Sequence, residues 1–294
     1  MIGSPELVAA IETAVSATAG ACHIENAVPA SGGCIHRSYI LEGSRQKFFA
    51  KINSSSQSDN FAAEADGLAA LASAGARVPA PLCQGSTAKE AFLILEYLEL
   101  RAAGDYAALG HMLAALHALR QEEYGWRRDN YIGSTRQSNF RSRNWADFWK
   151  RMRLAPQLEL ATANHLGRTL LEKGERLAVS LPELFAGHAP KPALLHGDLW
   201  RGNAGFLGDG TPVLFDPAVY CGDREADLAM TELFGGYPQA FYSAYRERAP
   251  VDPGYSVRKT LYNLYHVLNH ANLFGGGYAA QAERMIEQLL AEVR

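Results

Sequence analysis

The stretch LLHGDLWRGNAGFLGDGTPVLFDP, residues 194–217, sets Asp198, Asn203 and Asp216 at the edges of apolar runs that read as short strands. Two strands around the turn GDG are predicted. A carboxylate closing a buried strand is costly unless it meets a cation or a ligand. The placement therefore asks for chemistry rather than packing. The proposed answer is that these groups hold metal ions and a hydroxyl around a phosphate.

The pattern is H-G-D-x4-N, then twelve intervening residues, then D-P. It reproduces the spacing of the protein-kinase catalytic loop, where asparagine follows aspartate by five positions. Phosphoryl transfer asks the protein mainly for positioning and charge cancellation. Asp198 would take the proton of the attacking hydroxyl. Asn203 would lend a neutral oxygen to magnesium, and Asp216 would ligate magnesium that bridges nucleotide phosphates. His196 would organise the loop, although a packed histidine fits equally.

Upstream, PASGGCIHRSYILEG places Ser31, Gly32 and Gly33 before a strand, where glycine lets backbone amides approach a phosphate. Lys51 alternates with apolar neighbours in FFAKIN, which points it inward from a strand. In NFAAEADGLAALASAG, Phe61, Leu68 and Leu71 share a helix face with Glu64. A Lys51–Glu64 pair would answer the cost of that carboxylate; a solvated Glu64 at the rim is the bland alternative. ALGHMLAALHALR, ELATANHLGRTLLEKGERLAV and GYPQAFYSAY read as further helices, the second closed by the loop PELFAGHAPKP, and AFLILEYLEL as a strand. The fold class expected is α+β and bilobal. Residues 1–98 form a small β-sheet lobe that grips nucleotide, and residues 99–294 a larger, mainly helical lobe that carries catalysis. A cleft between lobes is the usual place for a ligand.

The bulk numbers agree with a globular chain of 294 residues, 48% hydrophobic and 20% charged. A net charge of −3 argues against nucleic acid or an anionic membrane as the main partner. No secretory leader is read at MIGSPELVAAIETAV, and no apolar stretch reaches membrane-spanning length. The four scattered cysteines predict reduced thiols in a cytoplasmic protein.

At these residues the sequence resembles the fructosamine kinase family, whose members have a protein-kinase-like fold. HGDLWRGN is similar to that family's H-G-D-L-W-S-G-N, with Arg201 where serine is usual. YGWRRDNYIGSTRQSN resembles its F-G-x4-D-N-x-I-G-x-T-P-Q-x-N segment, with Arg136 in place of proline. FDPAVYCGDREADLAM, GGCIHRSY and LYNLYHVLNHANLFGGGY match other family segments, and the likeness runs from about residue 20 to 280. It implies an ATP- and Mg2+-dependent kinase that phosphorylates the sugar 3-hydroxyl of small or protein-bound ketoamines, ribulosamine or fructosamine. The phosphorylated adduct then falls apart and frees the amine. By position, Gly32, Gly33, Cys34, Lys51 and Glu64 grip nucleotide, while Glu96, Tyr97 and Leu98 form the hinge beside adenine. Asp198 is the base, and Asn203 and Asp216 are the metal ligands. Trp200, with Asp129 and Asn130, lines the acceptor site. A turn that only ties down a helix fits Asp129 and Asn130 as well. Cys34, among backbone amides and near Lys51, is a redox candidate, and the chain is expected as a monomer or a redox-dependent homodimer. Aminoglycoside- or choline-type kinases share the catalytic spacing, and a nucleotide-binding pseudokinase is the reading from another class.

Overall fold

Ser4 starts the first helix: its Oγ accepts from the Leu7 amide at 3.2 Å, and Pro5 takes the position where no N–H is needed. The computed structural model describes residues 2–30, 35–43 and 46–293. The glycine turn with Gly32, Gly33 and the redox candidate Cys34 lies outside the described residues.

In chain order the elements are α1 (Pro5–Ala19), β1 (Ile24–Pro29), β2 (Arg37–Gly43), β3 (Lys47–Ser54), α2 (Ser58–Ser73), β4 (Pro81–Ser86) and β5 (Glu90–Glu96). There follow α3 (Tyr106–Ala118), β6 (Asn130–Ile132), β7 (Thr135–Gln137), α4 (Trp145–Trp149), α5 (Ala155–Ala163), α6 (Arg168–Leu184) and β8 (Ala193–Leu195). The chain continues with β9 (Ala204–Phe206), β10 (Pro212–Leu214), β11 (Tyr220–Gly222) and α7 (Glu225–Leu233). It closes with α8 (Gln239–Arg248), α9 (Tyr255–Phe274) and α10 (Tyr278–Glu292). A π-helical turn, Lys150–Leu154, joins α4 to α5. The chain divides into two compact units, Met1–Asp105 with Gly205–Asp216, and Tyr106–Ala204 with Pro217–Arg294.

The first unit is built on an antiparallel sheet ordered β1-β2-β3-β5-β4. Leu7, Ile11 and Val15 form one stripe of α1 and pack on Leu41, Phe48, Ala50, Ile52, Phe92 and Ile94. Strand alternation then turns Lys51 to the opposite face. In α2, Phe61, Glu64, Leu68 and Leu71 are all buried, so the solvated alternative for Glu64 falls away. Residues 205–216 return to this unit. Arg101 and Phe206 exchange backbone bonds of 2.8 and 3.0 Å, and the Leu214 amide donates to the Arg77 carbonyl at 2.9 Å.

The second unit is mainly helical around α9, whose Leu261, Tyr262, Leu264, Tyr265, Val267 and Leu268 are buried. Helix α8 buries Phe241, Ala244 and Tyr245, so GYPQAFYSAY is helical against the core from Gln239 onward. Three expectations are corrected. The single helix read across ELATANHLGRTLLEKGERLAV is broken, because His165 and Gly167 take φ of 55° and 110° between α5 and α6. Pro182 lies inside α6, which runs on to bury Leu184, rather than opening a loop. The strand in AFLILEYLEL also stops at Glu96. Among the described residues no helix is long and apolar enough to cross a membrane.

Candidate active site

The first unit brings three of the expected residues together. Lys51, 5% exposed, donates to Glu64 Oε1 at 2.6 Å and to Asp216 Oδ1 at 2.5 Å. Burial alone would lower the lysine's pKa, but Asp216 and Glu64 outweigh it and hold it above its ordinary value. The ammonium is therefore charged at neutral pH. Burial pushes Glu64 up against the pull of Lys51. Asp216 follows β10 and takes φ of 55°, a left-handed conformation that costs on the order of 1–2 kcal/mol per residue and that aspartate tolerates better than most. The anchors at Arg101 and Arg77 deliver this strained carboxylate to Lys51.

In the second unit, Asn203 is buried and donates from Nδ2 to the Asp198 carbonyl at 2.9 Å and to Asp198 Oδ2 at 3.1 Å. Both bonds commit the asparagine nitrogen to Asp198. His196 is fully buried, and its Nδ1 accepts from the Asp198 amide at 3.3 Å, so the packed and the organising readings are both true of it. Gly197 has φ of 83°, and a Cβ there would meet the Ala218 carbonyl oxygen at 2.0 Å. Only glycine lets the loop pass.

Sequence reasoning missed Asp227 on α7, a residue argued to act through this loop. Its two oxygens accept from the amides of His196 (2.7 Å) and Gly197 (2.8 Å). His117 Nε2 lies 3.2 Å away, and His117 Nδ1 meets the Tyr245 hydroxyl at 2.9 Å. Burial would raise Asp227, but the hydrogen bond and charge of His117 and the Gly197 amide hold it below its ordinary value. The carboxylate fixes the backbone that aims Asp198. Asp227→Asn turns one acceptor into an NH2 group facing an N–H donor, at a cost of about 1–3 kcal/mol for the orphaned amide. Turnover is expected to fall with thermal stability while nucleotide affinity is kept. Unfolding curves, steady-state kinetics and nucleotide titration check this, and unchanged turnover would refute the positioning role.

Trp200 is 38% exposed, and so is not a core tryptophan under the loop. It packs edge-to-face on Phe234 at 6.1 Å, and its carbonyl accepts from the Tyr237 hydroxyl at 3.1 Å. Asp129 accepts from the Asn139 amide at 2.9 Å and is paired with Arg136 at 2.8 Å. Asn130 corrects an expectation. It is buried, donating to the Val219 carbonyl at 2.7 Å and accepting from Gln137 and Asn139 at 2.8 and 2.9 Å. Its side chain ties the β6–β7 turn into the interior instead of presenting itself to a substrate. Glu96 is held by Arg77 at 2.6 and 2.8 Å, so only its backbone suits a hinge role beside Tyr97 and Leu98. A cavity of about 570 Å³ lined by Ala19, Phe48, Leu82, Glu96 and Tyr97 opens on the α1 face, opposite Lys51.

A model of the fructosamine kinase family matches residues 7–292. The chain is 46% identical to a "Probable ketoamine kinase" of Synechocystis, covering 98% of this chain and 99% of that one. It is 40% identical to a "Protein-ribulosamine 3-kinase, chloroplastic" of Oryza sativa, with 88% and 77% covered. Among solved structures, a candidate fructosamine-3-kinase from Haemophilus somnus matches with a TM-score of 0.88 at 30% identity, over 95% of this chain and 96% of that one.

Proposed function

The chain belongs to the fructosamine kinase family and is an ATP-dependent ketoamine kinase with a protein-kinase-like fold; we propose how its residues divide the work of phosphorylating the sugar 3-hydroxyl. The observation that carries the assignment is the buried Lys51 held between Glu64 and Asp216. Two of the ammonium's three N–H groups go to carboxylates, and the third is assigned to a nucleotide phosphate. The sugar oxygen attacks the γ-phosphorus as the bond to the β–γ bridging oxygen breaks. Asp198 takes the hydroxyl proton, and ADP leaves. The amide oxygen of Asn203 and the carboxylate of Asp216 are hard donors of the kind magnesium takes, which supports both as its ligands. A magnesium ion held by such donors would offset charge on the phosphates. The half-exposed Trp200 face suits the sugar or amine part of the acceptor. A cytoplasmic setting belongs to the same reading, favoured by the free thiols Cys22, Cys83 and Cys221.

A panel of ribuloselysine, fructoselysine, kanamycin and choline, each with MgATP, tests the substrate class. At least one ketoamine is expected to be phosphorylated, with kanamycin and choline at background. Glycated protein compared with free glycated lysine tests the size of the amine. Nucleotide binding without turnover of any ketoamine would replace this reading with the pseudokinase one.

A further inference from the structure

His36 stands just before β2 and has no part in the roles assigned above. Asn53 fixes its protonation. The Asn53 amide is oriented by two neighbours: Nδ2 donates to the Ile35 carbonyl at 3.1 Å, and Oδ1 accepts from the Ser54 amide at 2.8 Å. The group that meets His36 Nδ1 at 2.9 Å is therefore a donor. Nδ1 is the acceptor, and in the neutral ring the proton sits on Nε2. Burial, then the Lys51 charge, pulls the imidazole down to about 4 against the opposing effect of Asp216, so the ring is neutral near pH 7.

The ring's position is also defined. Asn53 lies two residues beyond Lys51 on the same face of β3. Phe61 lies nearly one turn before Glu64 on the same face of α2. His36 touches both, its ring centroid 4.9 Å from that of Phe61. It thus borders the Lys51–Glu64 pair on strand and helix alike. Among the described residues no hydrogen bond uses Nε2. A protonated Nε2 cannot ligate a cation, but it suits an anionic oxygen.

We propose that His36 is a nucleotide-binding residue whose Nε2–H donates to a phosphate oxygen of the nucleotide gripped by Lys51. This rests on the kinase reading above, and supplies that site with a neutral donor whose tautomer Asn53 sets. The donor adds directionality without adding charge beside Lys51.

His36→Phe keeps an aromatic ring against Phe61 and removes the donor. Full-length protein and this variant are titrated with MgATP, without acceptor, and with adenosine. The variant is expected to bind MgATP about tenfold or more weakly, the scale of a hydrogen bond to a charged group, and adenosine unchanged. Long-range proton–nitrogen spectra of the unmodified protein should show the Nε2–H tautomer and a shift of that nitrogen on adding MgATP. Equal weakening of both ligands, no weakening of either, or an Nδ1–H tautomer overturns the proposal. Should the variant not fold, the spectra decide. An unmodified protein that binds no MgATP overturns the kinase reading as well; binding undiminished in His36→Phe overturns this inference alone.

Discussion

Asp198→Ala is expected to lower kcat by about 10²–10⁴-fold, the usual contribution of a positioned acid or base, while MgATP binds as before. The division follows from where each interaction is made. The assigned nucleotide contacts, Lys51 with Glu64 and Asp216, belong to the first compact unit. Asp198 belongs to the second, where Asn203 bonds its carbonyl and Oδ2 and His196 accepts from its amide. Of these bonds, alanine removes only the one to Oδ2, because the other two use the Asp198 backbone. The Asp227 bonds to His196 and Gly197 are backbone-mediated too, so the loop should keep its path. The lost function is proton acceptance and alignment of the hydroxyl. Steady-state kinetics with a ketoamine and calorimetric titration with MgATP separate the two effects. Retained turnover would remove Asp198 from the base role. Lost nucleotide affinity would mean that the side chain serves binding instead.

The fold was legible wherever a period ran long enough. The Lys51 alternation and the apolar face around Glu64 both appear as read. Elements of three residues, such as β6, β8 and β11, carry too little period to be seen, and they come from non-local pairing. Asp227 could have been found by the argument that found Glu64, since a carboxylate inside ADLAM needs partners in the same way. Two of its partners are backbone amides, which no residue type announces, and the third, His117, lies 110 residues away in the chain. Asn130 misled for the opposite reason. A polar turn reads as surface, yet Val219, Gln137 and Asn139 satisfy its amide and let it be buried. The segment ELATANHLGRTLLEKGERLAV was read as one helix, whereas His165 and Gly167, with φ of 55° and 110°, separate α5 from α6.

Lys51→Met is expected to cost about 3–5 kcal/mol of stability, because breaking a buried pair leaves its partner uncompensated. Glu64 is the partner that matters, with a side chain 8% exposed against 38% for Asp216, which water can screen. The loss should depend on pH with a definite sign. Without the ammonium, Glu64 loses the attraction that restrains its rise, so its folded pKa climbs further above 4.5. A carboxyl raised in the folded state binds more protons there than in the unfolded chain. Stability of the variant therefore falls as pH rises through that window. In the parent, Lys51 is raised instead, so its contribution is complete below its unfolded pKa and is lost only as pH passes the folded one. The gap between parent and variant should be small near about pH 4–5 and widest near about pH 8 in urea unfolding. Lys51→Met combined with Glu64→Leu removes both buried charges, and should regain most of the stability without restoring nucleotide affinity. A gap that stays constant with pH would mean that Glu64 is not the uncompensated group. Nucleotide binding by the double variant would detach the ion pair from the grip assigned to it.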